Sequence, residues 1–99
     1  MSIVSINFKL KSEPKSSLKQ FSTVKDAVHF VKSLKEDTIE YISLTDGHGY
    51  QVVGYGQIQV AYDRHSDLWS GDKFCIHPMT GSGHGGGQVC NTCKAWFCY

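Results

Sequence analysis

All four cysteines lie in the last quarter of the chain: Cys75 in the run Phe74-Cys75-Ile76-His77-Pro78, the pair in Cys90-Asn91-Thr92-Cys93, and Cys98. A C-x-x-C knuckle and a distant C-x-H pair together supply four soft or borderline donors, the set a structural zinc ion takes in tetrahedral geometry. One tight turn lets Cys90 and Cys93 meet the same ion, with backbone amides directed at the thiolates. The glycine-rich stretch 80–87 has the freedom to bring Cys75 and His77 round to the other side. The expected cofactor is therefore a structural zinc held by Cys75, His77, Cys90 and Cys93. Two residues stand behind His77 as substitutes for the fourth ligand. Cys98 lies five residues past Cys93 but near a chain end, where ordering is weak. His84 is flanked by glycines that give it reach without direction.

Other chemistries fit these residues less well. A catalytic zinc keeps one position open to water and has a carboxylate nearby, whereas several thiolates lower its Lewis acidity. From Cys75 to Tyr99 there is no aspartate or glutamate, so no catalytic residue is assigned and no enzymatic activity is expected. A Rieske-type iron–sulfur centre needs histidine in both halves, and Cys93 stands where the second belongs. Disulfides are the alternative for an even cysteine count, and a nucleophile pair of Cys75 with His77 or His65 is the alternative for catalysis. The glycine run around His84 lacks the lysine and hydroxyl residue of a phosphate loop.

The elements that must position the four donors are legible in part. Val4, Ile6, Phe8 and Leu10 alternate with Ser5, Asn7 and Lys9, the pattern of a half-buried strand. Residues 12–20, interrupted by Pro14, read as a loop. Thr23 and Asp26 form a capping-box-like start, and Val24, Ala27, Val28, Val31 and Leu34 follow at helical spacing, predicting a helix that ends near Glu36 or Asp37. Phe30 falls off that stripe and is expected at the edge of the core. Ile39 to Leu44 reads as a central strand, Asp46-Gly47-His48-Gly49 as a turn, and Tyr50 to Tyr55 as the returning strand. Alternation of Ile58, Val60 and Tyr62 with polar residues predicts a further strand, and Lys73 to Ile76 a short one leading into the cysteines. The resulting fold class is α+β: a small, mainly antiparallel sheet in the order β-α-β-β-β, one packed helix, and a C-terminal Cys-rich segment stabilised by metal.

Ninety-nine residues make a single domain, residues 1–67 forming the α+β core and 68–99 the Cys/Gly-rich zinc-binding segment. A chain this short buries only about 60–65% of its unfolded surface, so a metal clip adds useful stability. No stretch approaches the length of a membrane span, and the start Met1-Ser2-Ile3-Val4-Ser5 lacks a secretory pattern. The expected compartment is the cytoplasm, without membrane association and without a small-molecule substrate.

Net charge is only +1, but it is unevenly spread. Seven lysines oppose three acids in residues 1–36, and six acids oppose Arg64 in residues 37–72. That acidic middle would steer a basic protein partner, with Glu40, Asp46, Asp63 and Asp67, or the loops around His48 and His65, as contact candidates. A regulator or inhibitor acting through protein contacts is the leading expectation. Small proteins that phages and other mobile elements direct against host machinery, anti-CRISPR proteins among them, have this general character. The alternative is a zinc-ribbon-like nucleic-acid binder using Lys9, Lys11 and Lys15. The second alternative is a small metal- or Cys-dependent enzyme.

Overall fold

The computed structural model describes residues 3–65, 68–78, 80–82 and 84–97. Strand β1 (Val4–Leu10) sits inside a four-stranded antiparallel sheet with β2 (Ser17–Phe21), β3 (Ile39–Thr45) and β4 (Gln51–Val53), in the order β2-β1-β3-β4. Register places Ile6 beside Leu44 and Phe8 beside Ile42, so the apolar positions of neighbouring strands share one face. Two helices cover that face, α1 (Val24–Lys32) and α2 (Tyr55–Arg64). Val24, Ala27, Val28 and Val31 of α1 and Ile58 and Ala61 of α2 are buried there with Val4, Ile6, Phe8, Ile42 and Leu44. Burial of such side chains contributes about 1.5–3 kcal/mol each against exposure, and is the main term holding this layer together.

The α+β class and the mainly antiparallel sheet are those expected, while three elements differ, at residues 17–21, 55–64 and 73–76. Residues 17–21 form an edge strand where a loop was expected. Its first four residues are exposed, so no apolar alternation marks it; the free edge of β1 recruits it by backbone pairing, Val4 with Phe21 through Phe8 with Ser17. Residues 55–64 form a helix rather than a strand. Ile58 and Val60 alternate as in a strand, but Tyr55, Ile58, Ala61 and Tyr62 also lie on one helical stripe. Ile58 and Ala61 are buried while Val60 is exposed, so the three-to-four spacing is the one the core uses. Helix α1 begins as expected, the Thr23 hydroxyl accepting from the Asp26 amide at 3.1 Å. It stops at Lys32, and Glu36–Thr38 is a separate 3-10 turn. Phe30 is half-buried against Phe8 and Phe21, with ring centroids 5.4 and 5.5 Å away.

A second antiparallel sheet, β5 (Thr80–Ser82), β6 (Gln88–Cys90) and β7 (Trp96–Phe97), completes the chain in the order β5-β6-β7. Gly87 is sterically required there, because a Cβ at this position would stand 2.2 Å from the carbonyl oxygen of Phe97. Residues 73–76 are not a strand, yet the core holds them firmly. The Val24 amide donates to the Lys73 carbonyl at 2.8 Å, the Gly47 amide to the Phe74 carbonyl at 2.8 Å, and the Ile76 amide to the Asp46 carboxylate at 3.2 Å.

Candidate metal centre

Two turns carry the four donors. In the first, Cys75-Ile76-His77, the His77 backbone adopts φ +52°, and its amide donates to the Cys75 sulfur at 3.3 Å. In the second, Cys90 to Lys94, the Thr92 amide donates to the Cys90 sulfur at 3.4 Å and the Lys94 amide closes on the Cys90 carbonyl at 3.0 Å. Lys94 leaves this turn at φ +62°. Amide donors aimed at sulfur stabilise thiolate, which is the form that binds metal.

The structure brings Cys75, His77, Cys90 and Cys93 into one cluster whose donor atoms all lie within 4.8 Å of one another. The sulfurs of Cys75 and Cys90 are 3.8 Å apart, and the Cys93 sulfur is 3.4 Å from Nδ1 of His77. A tetrahedral zinc with bonds of about 2.3 Å to sulfur and about 2.0–2.1 Å to nitrogen separates two sulfurs by about 3.8 Å, and a sulfur and a nitrogen by about 3.6 Å. The donor set and its spacing therefore fit a metal ion such as zinc. A disulfide would need about 2.05 Å, and the described cysteines 75, 90 and 93 are free thiols. Cys98 lies outside the described residues, as does the side chain of His84.

Cys75, His77 and Cys90 are fully buried, and Cys93 is half-buried. Burial pushes the Cys75 thiol far up, reinforced by its neighbouring cysteines against the opposing His77 amide. At Cys90 burial also pushes upward, but the amides of Cys93 and Thr92 and the adjacent thiols outweigh it and the group falls below its usual value. Cys93 rises, chiefly through burial. Burial, reinforced by the charges of His65, Lys73 and Arg64, lowers His77 to about 4. Its imidazole is thus neutral at physiological pH, the state a metal ligand requires.

The surroundings fix the His77 ring. Trp69 stacks on it with centroids 4.3 Å apart, and His65 stacks on it at 5.4 Å. The Trp69 indole donates to the Arg64 carbonyl at 2.6 Å, while the Arg64 guanidinium reaches the carbonyls of His77 and Pro78 at 3.3 and 3.0 Å. The end of α2 thereby positions the C-x-H turn. Asp46 acts from the other side, one carboxylate oxygen accepting from the His48 and Tyr50 amides and the other from the Ile76 amide.

The contact candidates separate accordingly. Asp46 is 3% exposed and holds the fold, and His65 is buried against His77, so neither offers a surface. Glu40 and Asp63 are exposed, Glu40 in an ion pair with Lys9, and His48 pairs with Asp72 at 2.9 Å. Asp67 lies outside the described residues. Sequence reasoning passed over Arg64 as a positioning residue, because a lone arginine after an expected strand carries no sign of the carbonyls it meets. No helix among the described residues is long and apolar enough to cross a membrane. No family model, curated protein or solved structure matches the chain.

Proposed function

We propose that this chain is a small zinc-stabilised binding protein, a regulator or inhibitor acting through protein contacts in a reducing cytoplasm. The observation that carries the reading is the set of three sulfurs and one imidazole nitrogen within 4.8 Å of one another, two of whose separations, 3.8 and 3.4 Å, are close to those of tetrahedral zinc. Four protein donors complete the coordination of zinc and leave no position for water, so the ion's role is structural and function falls to the surface. The exposed carboxylate of Asp63 supports a basic protein partner, and the chain's size and composition suit proteins that phages and mobile elements direct against host machinery. No catalytic step is assigned. Cys93 and His77 are close enough for a nucleophile pair, but burial raises the thiol and lowers the imidazole, opposite to a thiolate–imidazolium couple.

Metal analysis of protein purified without chelator, combined with affinity capture from the native host read by mass spectrometry, tests this reading. About one zinc per chain and a specific protein partner are expected. The rival nucleic-acid reading draws on Lys9, Lys11 and Lys15, of which Lys9 is already engaged by Glu40. Strongly salt-dependent retention of DNA or RNA with no protein partner would put it in first place.

A further inference from the structure

Strand β3 is longer than its neighbour on one side. β1 pairs with it from Thr45 to Ile39, with a register shift between Lys9 and Leu10 that leaves Glu40 unmatched, whereas β4 pairs only with Ser43 to Thr45, through Val53 to Gln51. The chain then turns at Gly54, whose amide donates to the Ile42 carbonyl at 2.9 Å, and enters α2. Beyond that bond, among the described residues no strand lies beside Ile39 to Tyr41 on that edge. A cavity of about 300 Å³ opens there, lined by Glu36, Glu40, Tyr41, Val53 and Tyr55 among others. Val53 is 52% exposed and Tyr41 40%.

Unpaired strand edges are templates for another chain, and a partner strand gains affinity from backbone pairing and specificity from the pockets its side chains enter. The pocket here combines carboxylates with tyrosine rings, and such a lining favours a cationic side chain through ion pairing and ring-face attraction. Glu40 already accepts Lys9, but among the described residues Glu36 makes no ion pair. We propose that the open edge of β3 at Ile39–Tyr41 and its adjoining cavity dock an extended segment of a partner protein, with a lysine or arginine side chain seated between Glu36 and the tyrosines. The proposal deepens the protein-binding reading and rests on it.

The test is an NMR titration of the zinc-loaded full chain with a short peptide of alternating threonine and valine bearing one central arginine, against the same peptide with glutamate there. Saturable shifts are expected at the amides of Ile39 to Tyr41, Gly54 and Tyr55, with the arginine peptide binding about tenfold tighter, the scale of one charge-assisted contact. Glu36→Lys should remove that preference while leaving the rest of the spectrum in place, and Glu36→Gln serves if the reversal perturbs folding. No saturable shift at these amides, equal affinity for the two peptides, or unchanged affinity in the Glu36 variants would overturn the proposal. A captured host partner whose binding Glu36→Lys leaves untouched would also sink it while the broader reading survives. Salt-dependent nucleic-acid retention with no partner fails the broader reading, and this docking site with it.

Discussion

The two sheets of this molecule are held by different physics. Twelve buried apolar residues, from Val4 to Ile76, join the four-stranded sheet to its helices, and strands β1 and β3 are seven residues long. The three-stranded sheet has strands of three, three and two residues, and its buried cluster is Trp69, Cys75, Cys90 and Ala95. Half of that second cluster is sulfur. Hydrophobic burial suffices for the first layer, whereas so short a ladder over so small a core needs a cross-link, and the Cys/His cluster sits where one would act.

Removing the metal proposed for this cluster should therefore break the two regions unequally, and this is the largest expected effect. Structural zinc contributes on the order of 10 kcal/mol to such sites. Chelation, or Cys90→Ser, should lower hydrogen-exchange protection in β6 and β7 far more than in β1 and β3, leaving the smaller core closed but weak. Equal loss in both sheets, or no loss in either, would show that the molecule is not divided in this way.

Val28→Asp attacks the other side of the comparison. It places an unpaired charge at a fully buried position between α1 and the sheet and should cost about 4 kcal/mol or more, unfolding both regions because residues 73–76 hang from the first. Lys32→Asp, on the exposed face, loses the ammonium placed 4.4 Å from the Tyr62 ring centroid and sets a carboxylate at the helix C-terminus, together worth about 1–2 kcal/mol. Thermal melts of the two variants measure the contrast.

What was legible in the sequence follows the same division by mechanism. The α1 stripe and the β1 alternation are large, repeated signals of one-sided burial, and Val24, Ala27, Val28 and Val31 lie where the spacing puts them. The cysteine cluster was legible because few residue types bind metal and their spacing limits what they can reach. β2 was hidden because an exposed edge strand has no apolar pattern to show. α2 was hidden because Ile58 satisfies either period, and only contact with α1 and β3 decides between them. The buried roles of Asp46 and His65 depend on long-range neighbours, Ile76 and His77, that local pattern does not encode.

Acid should weaken the metal-free protein through its smaller core. His77 is lowered to about 4 in the folded chain from an ordinary 6.5, so between those values the unfolded chain takes up a proton that the folded one refuses. Stability from this group is present above about pH 6.5 and is lost as pH falls toward 4, by up to about 3 kcal/mol. Urea midpoints of the chelated protein should fall across this window, and His77→Asn should flatten the decline. An unchanged slope in His77→Asn would assign the acid sensitivity elsewhere.

The smallest effect separates backbone strain that the site needs from strain it does not. His77 and Lys94 both adopt positive φ, a region that costs a side-chain-bearing residue about 1–2 kcal/mol. At His77 the strain accompanies a donor atom, so His77→Gly should relax the backbone yet lose the cluster's only nitrogen and with it the metal. At Lys94 the side chain is exposed and only the backbone serves the knuckle, its amide closing on Cys90. Lys94→Gly keeps that bond and removes the strain, while the freer unfolded chain takes back about 0.4–1 kcal/mol. A net gain of about 0.5 kcal/mol is expected, read as a slightly higher melting temperature with unchanged zinc stoichiometry. Loss of stability in Lys94→Gly would mean that the lysine side chain contributes to the knuckle after all, and the strain at this turn would then belong with that at His77.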